Sequence, residues 1–241
     1  MIIPPQFDSA SPFFEGLAKV TINGKDGFID KTGKMIIPPQ FDSAGEFHEG
    51  LAIVEINKKY GYIDKMGNFI ITPQFDSASP FFEGLAQVTI NGKAGFIDKT
   101  GKMIIPLQFD GASSFIQGLA YVRINDNDKS GLIDKTGKMI TPPQFDDIGN
   151  FSEGLAQVQI NGNYGYIDQT GKMITPLQFD NAYDFNEGLA RVHINGKWGY
   201  IDKTGKMITL QQFDDADDFS EGLAAVKING KYGYIRNPLV K

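Results

Sequence analysis

Several residue types are missing from this 241-residue sequence, and each absence removes a class of function. There is no cysteine, which excludes disulfide frameworks and metal sites built from thiolates. The two histidines, His48 and His193, occupy different positions in distant segments, so no catalytic dyad or histidine metal site follows from them. Gly-rich phosphate loops, nucleophile elbows and zinc-type spacings are also missing. The sequence therefore predicts neither an enzyme nor a cofactor.

Long apolar runs and basic clusters are missing as well. No apolar stretch approaches the roughly 18 residues of a membrane span, and no basic segment followed by an apolar run opens the chain. We therefore expect no membrane partner and a cytoplasmic location by default, with a secreted one left open. The formal net charge is −6 and Lys and Arg do not cluster, so we expect no nucleic acid partner.

What the sequence does contain is a repeat. The tripeptide Gln-Phe-Asp occurs seven times, with steps of 34, 34, 34, 36, 34 and 34 residues between copies. Its phenylalanines are Phe7, Phe41, Phe75, Phe109, Phe145, Phe179 and Phe213. The period predicts a single repeat domain over 1–241, in which the first and last repeats complete one hairpin. The predicted repeats are about 1–34, 35–68, 69–102, 103–138, 139–172, 173–206 and 207–241.

Each repeat is predicted to be β-structure throughout, because short β-rich runs alternate with Gly, Asn, Asp and Pro and helical periodicity is absent. Asn23-Gly24 favours a type I′ hairpin turn, and 30–33 (Asp-Lys-Thr-Gly) reads as a turn in which the Asp side chain accepts backbone N–H bonds. Pro38-Pro39 is expected to end a strand, because proline cannot donate to the ladder. The predicted strands of the first repeat are Leu17–Ile22, Gly27–Asp30, Met35–Ile37 and a short Gln40–Asp42.

Within the first strand, the repeats differ from one another on one face only. Ala18, Val20 and Ile22 recur in every copy, whereas the positions of Lys19 and Thr21 vary freely. Because strand side chains alternate between faces, this predicts a fixed core face and a less constrained, partly wet face. Both faces of the second strand are apolar, so sheets are expected to pack on both sides of it. The recurring Phe7, Phe13 and Leu17 are expected to fill a core repeated seven times.

Two architectures fit this repeat. Residues 1–4 read as an ordinary third strand without its own hairpin partner, and 232–235 read as an ordinary second strand. If the two ends meet, the chain closes into a seven-bladed β-propeller-like ring by N- and C-terminal strand closure. The alternative is an open β-solenoid or superhelix, which the short 34-residue period favours.

The stretch NGKWGYIDKTGK at 195–206 and the Phe-x-Glu-Gly-Leu-Ala segment at 219–224 resemble the WG-repeat (KWG-repeat) family of mostly bacterial proteins. The resemblance covers essentially the whole chain and implies a β-repeat interaction module without a catalytic residue set. The same string is also similar to blades of quinoprotein-type propellers. The tryptophan of the motif occurs once, at Trp198.

Two recurring acid series are interpreted as turn residues. Asp30 and its copies each begin an Asp-x-x-Gly turn, and the turn explains both the acid and the glycine. Glu15 and its copies precede Gly-Leu-Ala, with Gln117 replacing the acid in the fourth repeat. A turn or backbone-capping role is the preferred interpretation of that series also.

Two candidate sites remain. Tyr60, Tyr164, Trp198 and Tyr232 share one position of the repeat and are candidate ligand contacts, although cross-strand packing explains them as well. A two-residue insertion in the fourth repeat places Asp126, Asp128 and Ser130 at the alternate spacing of a calcium loop. The acid expected at the twelfth position is missing, because that residue is Gly137.

A fixed core under a variable face predicts a non-enzymatic binding or scaffolding module, expected to be a monomer that binds another protein. The alternative is multivalent binding of carbohydrate or cell-wall glycan through the aromatic position, with avidity from several weak sites.

Overall fold

The structure is a computed structural model that describes residues 3–124 and 128–239. The predicted turns form in it. Asn23 and Gly24 have φ angles of 51° and 73°, as a type I′ turn requires. Asp30 Oδ1 accepts the backbone N–H of Thr32 at 2.9 Å, and Gly33 takes a φ of 87°. These turns reverse the chain at fixed points and thereby set the strand pairing of the first repeat.

The described residues divide into two compact units, 3–124 with 133–138 and 128–132 with 139–239. The first unit contains three four-stranded antiparallel sheets, β1–β4, β5–β8 and β9–β12, and the pair β13–β14. Its strands are β1 Ser9–Ala10, β2 Leu17–Ile22, β3 Lys25–Asp30, β4 Met35–Phe41, β5 Ser43–His48, β6 Leu51–Ile56, β7 Lys59–Ile63, β8 Phe69–Phe75, β9 Ser77–Ala78, β10 Leu85–Ile90, β11 Lys93–Asp98, β12 Met103–Phe109, β13 Gly111–Ala112 and β14 Leu119–Arg123.

Strand β15, Ser130–Asp134, has residues in both units. The second unit contains one four-stranded sheet, β17–β20, and two three-stranded sheets, β21–β23 and β24–β26. Its strands are β16 Met139–Phe145, β17 Asp147–Ile148, β18 Leu155–Ile160, β19 Asn163–Asp168, β20 Met173–Phe179, β21 Asn181–Ala182, β22 Leu189–Ile194, β23 Lys197–Asp202, β24 Asp215–Ala216, β25 Leu223–Ile228 and β26 Lys231–Arg236.

The fold is all-β, with seven repeats of three to four antiparallel strands. The first predicted strand, Leu17–Ile22, is confirmed. The prediction that Pro38-Pro39 ends a strand, with Gln40–Asp42 as a separate fourth strand, is wrong. One strand, β4, runs through both prolines. Because β4 is the outermost strand of its sheet, its prolines need not donate to a further neighbour.

A bulge opposite Gly27 accommodates the two prolines. Phe28 pairs with Ile37 and Asp26 pairs with Phe41, so three residues of β4 face Gly27 alone. A Cβ at Gly27 would lie 2.5 Å from the carbonyl oxygen of Ile37. Only glycine leaves room for this close approach of two backbones.

The core lies between successive sheets. Phe28 and Ile37 of the first sheet pack against Phe47, Val54 and Ile63 of the second. Phe28 and its neighbour Ile29 point to opposite faces and are both buried, so sheets pack on both sides of this strand, as predicted.

The prediction that Phe13 belongs to the core is wrong. It is 41% exposed, whereas its copies in the other six repeats are buried. Those copies are Phe47, Phe81, Phe115, Phe151, Phe185 and Phe219. Each of them precedes the first long strand of a sheet. Phe47 contacts the ring of Phe28 in the preceding sheet, and the same kind of ring contact is made by Phe81, Phe115, Phe185 and Phe219. The burial of this phenylalanine is therefore a property of two neighbouring sheets.

The predicted closure of a ring is not confirmed. Met1 and Ile2, half of the proposed closing strand, lie outside the described residues, and residues 3–7 are in no strand. Strand β26 is the outermost strand of its three-stranded sheet. The closed ring and the open solenoid both stay predictions, as does the single domain over 1–241. Within the described residues, no helix is long and apolar enough to cross a membrane.

Candidate binding surface

The four aromatic residues predicted as ligand contacts lie on the second long strand of their sheets, opposite a variable residue of the first. The cross-strand pairs are Glu55–Tyr60, Gln159–Tyr164, His193–Trp198 and Lys227–Tyr232. The first three aromatic rings are half-buried, because each packs against the core of its neighbouring sheets. Tyr232 lies on the last sheet and is 64% exposed. The structure therefore favours cross-strand and inter-sheet packing for three of the four.

Trp198 is the centre of a cluster of aromatic and charged side chains. Its ring centroid lies 4.8 Å from His193 and 5.7 Å from Tyr183. The Arg191 guanidinium stacks over Tyr183 at 3.8 Å, and its Nε is 2.9 Å from Asp218 Oδ1. Arg191 also donates to the backbone carbonyl of the next repeat at 216. The cluster thus fills the space between two sheets and holds the arginine in place.

In the first repeat an acid occupies the Trp198 position. Asp26 is buried, and its carboxylate accepts the backbone N–H of Ala44 at 2.9 Å and the hydroxyl of Thr21 at 2.8 Å. Ala44 belongs to the next sheet. The position therefore connects consecutive sheets whether it carries an aromatic ring or a carboxylate. Its use as a ligand contact stays a prediction.

Of the three predicted calcium ligands, the structure describes two. Asp126 lies outside the described residues, while Asp128 has a φ of 53° and Ser130 begins β15. Gly131, which would be the glycine of a calcium loop, lies within β15. A Cβ there would meet the Thr141 carbonyl oxygen at 2.6 Å, so close backbone packing explains this glycine. Within 3–124 and 128–239, no three His, Cys, Asp or Glu side chains are grouped to hold a metal ion.

The Glu15 series does more than form a turn. Glu15 and Gly16 both have positive φ, 48° and 94°, and form a two-residue hairpin turn. The Glu15 carboxylate accepts the N–H of Gly50 in the next repeat at 3.1 Å. Lys65 Nζ lies 3.0 Å from the same carboxylate and donates to the Glu15 carbonyl at 2.9 Å. We call this arrangement of glutamate, glycine and lysine the clasp.

The clasp recurs along the chain and couples consecutive repeats within each unit. The other complete sets of glutamate, glycine and lysine are Glu49 with Gly84 and Lys99, Glu83 with Gly118 and Lys135, and Glu153 with Gly188 and Lys203. In a fifth, Asn237 replaces the lysine and donates to the Glu187 carbonyl at 2.9 Å. The hydrogen bond from Lys135 holds the pKa of Glu83 below its usual value. The predicted backbone-capping role is thus confirmed, and it extends between repeats.

A row of aromatic and apolar side chains lies next to the clasp glutamates in sequence in the first unit. Phe14, His48, Phe82 and Ile116 occupy the position before the Glu-Gly turn, or Gln-Gly in the fourth repeat. Ring centroids are 6.3 Å apart for Phe14 and His48 and 5.4 Å apart for His48 and Phe82. Phe14, Phe82 and Ile116 are 37%, 38% and 51% exposed. We call these four residues the Phe14 ladder.

The same position is polar in the second unit, where it holds Ser152, Asn186 and Ser220. The ladder therefore belongs to one part of the chain and does not follow from the repeat itself. The sequence analysis did not predict the ladder, because it relied on positions that recur in every repeat. The signal was present in the residue after each conserved Phe13-type phenylalanine, which is apolar or aromatic only in the first four repeats.

Seven antiparallel β-repeats, with side-chain clasps between consecutive repeats of each unit, define the class of this molecule as an all-β repeat protein. The family model for the WG containing repeat matches it at 1–25, 27–60, 60–93, 95–127, 131–164, 164–198 and 198–232. The chain belongs to the WG-repeat family, as its sequence motifs predicted. No curated protein matches it.

The solved structures that it resembles include propeller-like proteins. A eukaryotic initiation factor matches with a TM-score of 0.51 and 11% identity over 92% of this chain and 72% of that one. Hsv2p of Kluyveromyces lactis matches with 0.46 and 8% over 93% and 96%. Virginiamycin B lyase from Staphylococcus aureus, with quinupristin, matches with 0.40 and 16% over 94% and 93%. Of these three, the first supports a likeness of fold, and none bears on function at such identity.

Proposed function

We propose that this protein is a non-enzymatic binding module that uses the Phe14 ladder to bind a protein segment with a row of apolar side chains. The ladder carries the proposal. Single exposed apolar residues are ordinary on protein surfaces, but contiguous exposed apolar patches mark interaction sites. Here three apolar side chains and a histidine lie side by side across four repeats, with ring contacts between the first three.

The surroundings of the ladder favour a protein partner. The clasps beside it hold Glu15, Glu49 and Glu83 paired with Lys65, Lys99 and Lys135. An apolar row bordered by paired charges is the anatomy of a protein interface, with an apolar centre and a polar rim. The carboxylates that recur in the described residues serve turns and clasps, which favours binding over catalysis.

Glycan binding through the aromatic position has less support. Tyr60, Tyr164 and Trp198 are half-buried between sheets, so their ring faces are engaged by protein. A glycan array separates the two proposals. Binding that is lost in Trp198→Ala and Tyr164→Ala, but kept when the ladder is changed, would favour the glycan.

The ladder is tested with a displayed peptide library selected against the immobilised protein. We expect enriched peptides to carry apolar residues and to bind the triple variant Phe14→Ser/Phe82→Ser/Ile116→Ser at least about tenfold more weakly, since interface anchors each contribute 1 kcal/mol or more. Leu210→Ser is the matched control, because Leu210 is also an exposed apolar residue but lies outside the ladder. Equal affinity for the wild type and the triple variant would contradict the proposal.

A further inference from the structure

Five junctions between successive sheets share one arrangement of side chains. An aromatic residue on the second long strand of one sheet contacts the Phe13-type phenylalanine of the next. Ring centroids are 4.8–5.0 Å apart in Phe28–Phe47, Tyr62–Phe81, Phe96–Phe115, Tyr166–Phe185 and Tyr200–Phe219. Where the first residue is tyrosine, its hydroxyl donates to a backbone carbonyl of the next repeat, as Tyr62 does to Ser79 at 2.8 Å.

Besides these contacts, the last sheet carries a further aromatic residue, and the first sheet a further phenylalanine, that have no ring partner of this kind among the described residues. Tyr234 occupies the position of Tyr200 on the last sheet, and it is 75% exposed. Phe13 on the first sheet is exposed beside a cavity of about 590 Å³ that Ala18 and Ile29 also line. At each of the five junctions above, the corresponding two rings are in contact. The first sheet therefore lacks the ring that Tyr234 offers, and the last sheet lacks the ring that Phe13 offers.

The polar parts of the junction are divided in the same way. In inner repeats a hairpin lysine pairs with the Asp of the next Gln-Phe-Asp, as Lys25 does with Asp42 at 2.5 Å. Among the described residues Lys231 has no such aspartate and Asp8 has no such lysine. Similarly, Glu221 has no clasp lysine, and Lys31, the counterpart of Lys65, has no clasp glutamate in the described part of the chain. Each unmatched charge on the last sheet therefore has an unmatched charge of opposite sign at the corresponding position on the first: Lys231 corresponds to Asp8, and Glu221 to Lys31.

The last sheet also has an open strand edge. Five glycines equivalent to Gly233 lie within 3 Å of the backbone of a bulged outer strand, measured from an ideal Cβ; they are Gly27, Gly61, Gly95, Gly131 and Gly165. Gly233 has nothing within 4 Å in that direction. Residues 3–7 have the same sequence as 37–41 of the bulged strand β4, yet they lie in no strand. The first sheet thus carries a segment whose sequence fits the edge of the last.

We propose that a second copy of this chain docks its first sheet onto the last sheet of this one, head to tail. Residues 3–7 of the second copy add a strand to β26, its Phe13 packs against Tyr234, and its Asp8 pairs with Lys231. Its Lys31 and Gly16 N–H complete the clasp with Glu221. The contact is heterologous, so each pair leaves one face of each kind free for a further copy. This replaces the monomer expected from the sequence and is independent of the Phe14 ladder.

Two variants that each block one face test the proposal, with mass measured by sedimentation velocity over a concentration series. The wild type is expected to grow in mass as its concentration rises. Tyr234→Asp and Phe13→Asp are each expected to remain monomeric, because a charge cannot enter the ring contact. Mixed in equal amounts, the two variants are expected to form a dimer and nothing larger, since each keeps one intact face. Both side chains are exposed, so circular dichroism should report native structure.

Three results would overturn the proposal. A wild type that stays monomeric at all concentrations excludes association, and a loss of stability in both variants would then indicate closure within one chain. Association of Phe13→Asp alone would mean that two last sheets pair with each other. A mixture that stays monomeric would show that the two faces do not meet. Met66→Asp is the matched control, because Met66 is also an exposed apolar residue but lies in the second repeat, outside both docking faces; it should associate as the wild type does.

Charge reversal provides a second measurement that does not disturb the rings. Lys31→Glu and Glu221→Lys are each expected to weaken association by about fivefold, the order of one exposed ion pair. The double variant restores an ion pair between copies and should recover part of the lost affinity, since a lysine at 221 cannot accept the Gly16 N–H. Additive weakening in the double variant would contradict the proposed pairing.

Discussion

Tyr200 and Tyr234 occupy the same position in neighbouring sheets, yet they lie in opposite environments. Tyr200 is fully buried, and its hydroxyl donates to the Asp217 carbonyl at 2.6 Å, whereas Tyr234 is largely exposed. The local sequence is nearly the same, Trp-Gly-Tyr-Ile against Tyr-Gly-Tyr-Ile. The environment of this residue is set by the sheet that follows it. A repeat of this protein therefore does not contain its own core, because each core forms between two repeats.

The largest expected difference between inner and outer sheets comes from removing these two rings. Tyr200→Ala is expected to lower the free energy of unfolding by about 3–5 kcal/mol, because it leaves a cavity between two sheets. Tyr234→Ala is expected to change it by no more than about 0.5 kcal/mol in dilute solution, where the ring is in water. Urea unfolding of both variants measures the difference. Equal losses would show that Tyr234 is buried in solution.

A smaller difference is expected for two glycines. Gly61→Ala places a methyl group 2.5 Å from the Ile71 carbonyl oxygen, so the bulged strand β8 must move. The expected loss is about 1–3 kcal/mol, as for other overpacked sites. Gly233→Ala meets open space, and its effect on unfolding should be near zero. At concentrations where copies associate, however, Gly233→Ala should weaken association, because the added strand would meet the methyl group.

The smallest effect is expected for one clasp, and it depends on pH. The Lys135 hydrogen bond lowers the pKa of Glu83 from its usual 4.5, so folding favours the carboxylate. That contribution is fully present above about pH 5 and is lost as the pH falls through the lowered folded pKa. Glu83→Gln should therefore lower the free energy of unfolding by about 0.2–1 kcal/mol at pH 7 and by less at strongly acidic pH. Urea unfolding at the two pH values measures the difference.

Glu221→Gln is the matched control for the clasp, because no lysine faces Glu221 among the described residues. In dilute solution its unfolding should match the wild type at both pH values. An equal loss for Glu221→Gln and Glu83→Gln would show that the effect of the Glu83 substitution is local to the turn. A loss that is the same at both pH values would show that charge plays no part in it.

Local chemistry could be predicted from the sequence well. The positive φ of Asn23 and Gly24, the capping by Asp30 and the bounds of β2 follow from short-range rules, and the structure agrees with all three. The strand through Pro38 and Pro39 was not predicted, because an outer strand with a bulge tolerates prolines that an inner strand does not. Its signal was Gly27, which a continuous strand opposite two prolines requires.

What the sequence could not give was the relation between repeats. Trp198 and its copies were predicted as ligand contacts or as cross-strand packing residues, because the sequence of one repeat does not show the neighbouring sheet that half-covers three of them. The clasp was missed as an inter-repeat contact for the same reason, although its glutamate and its turn were recognised. Ranking positions by recurrence also hid the Phe14 ladder, which is informative because it changes between the two units.

The clasp has a consequence for how such a chain can change in length. A repeat such as the second supplies a glutamate, Glu49, for the repeat after it, and it supplies the Gly50 N–H and Lys65 for the repeat before it. A duplicated repeat therefore arrives with both ends of its joint already encoded, and it needs no compensating mutation elsewhere. Residues 7–18 are identical to 75–86, and residues 27–38 are identical to 95–106, as copying of that kind would leave them. Duplication of a repeat that carries the complete clasp would therefore lengthen the chain without altering the joint between repeats.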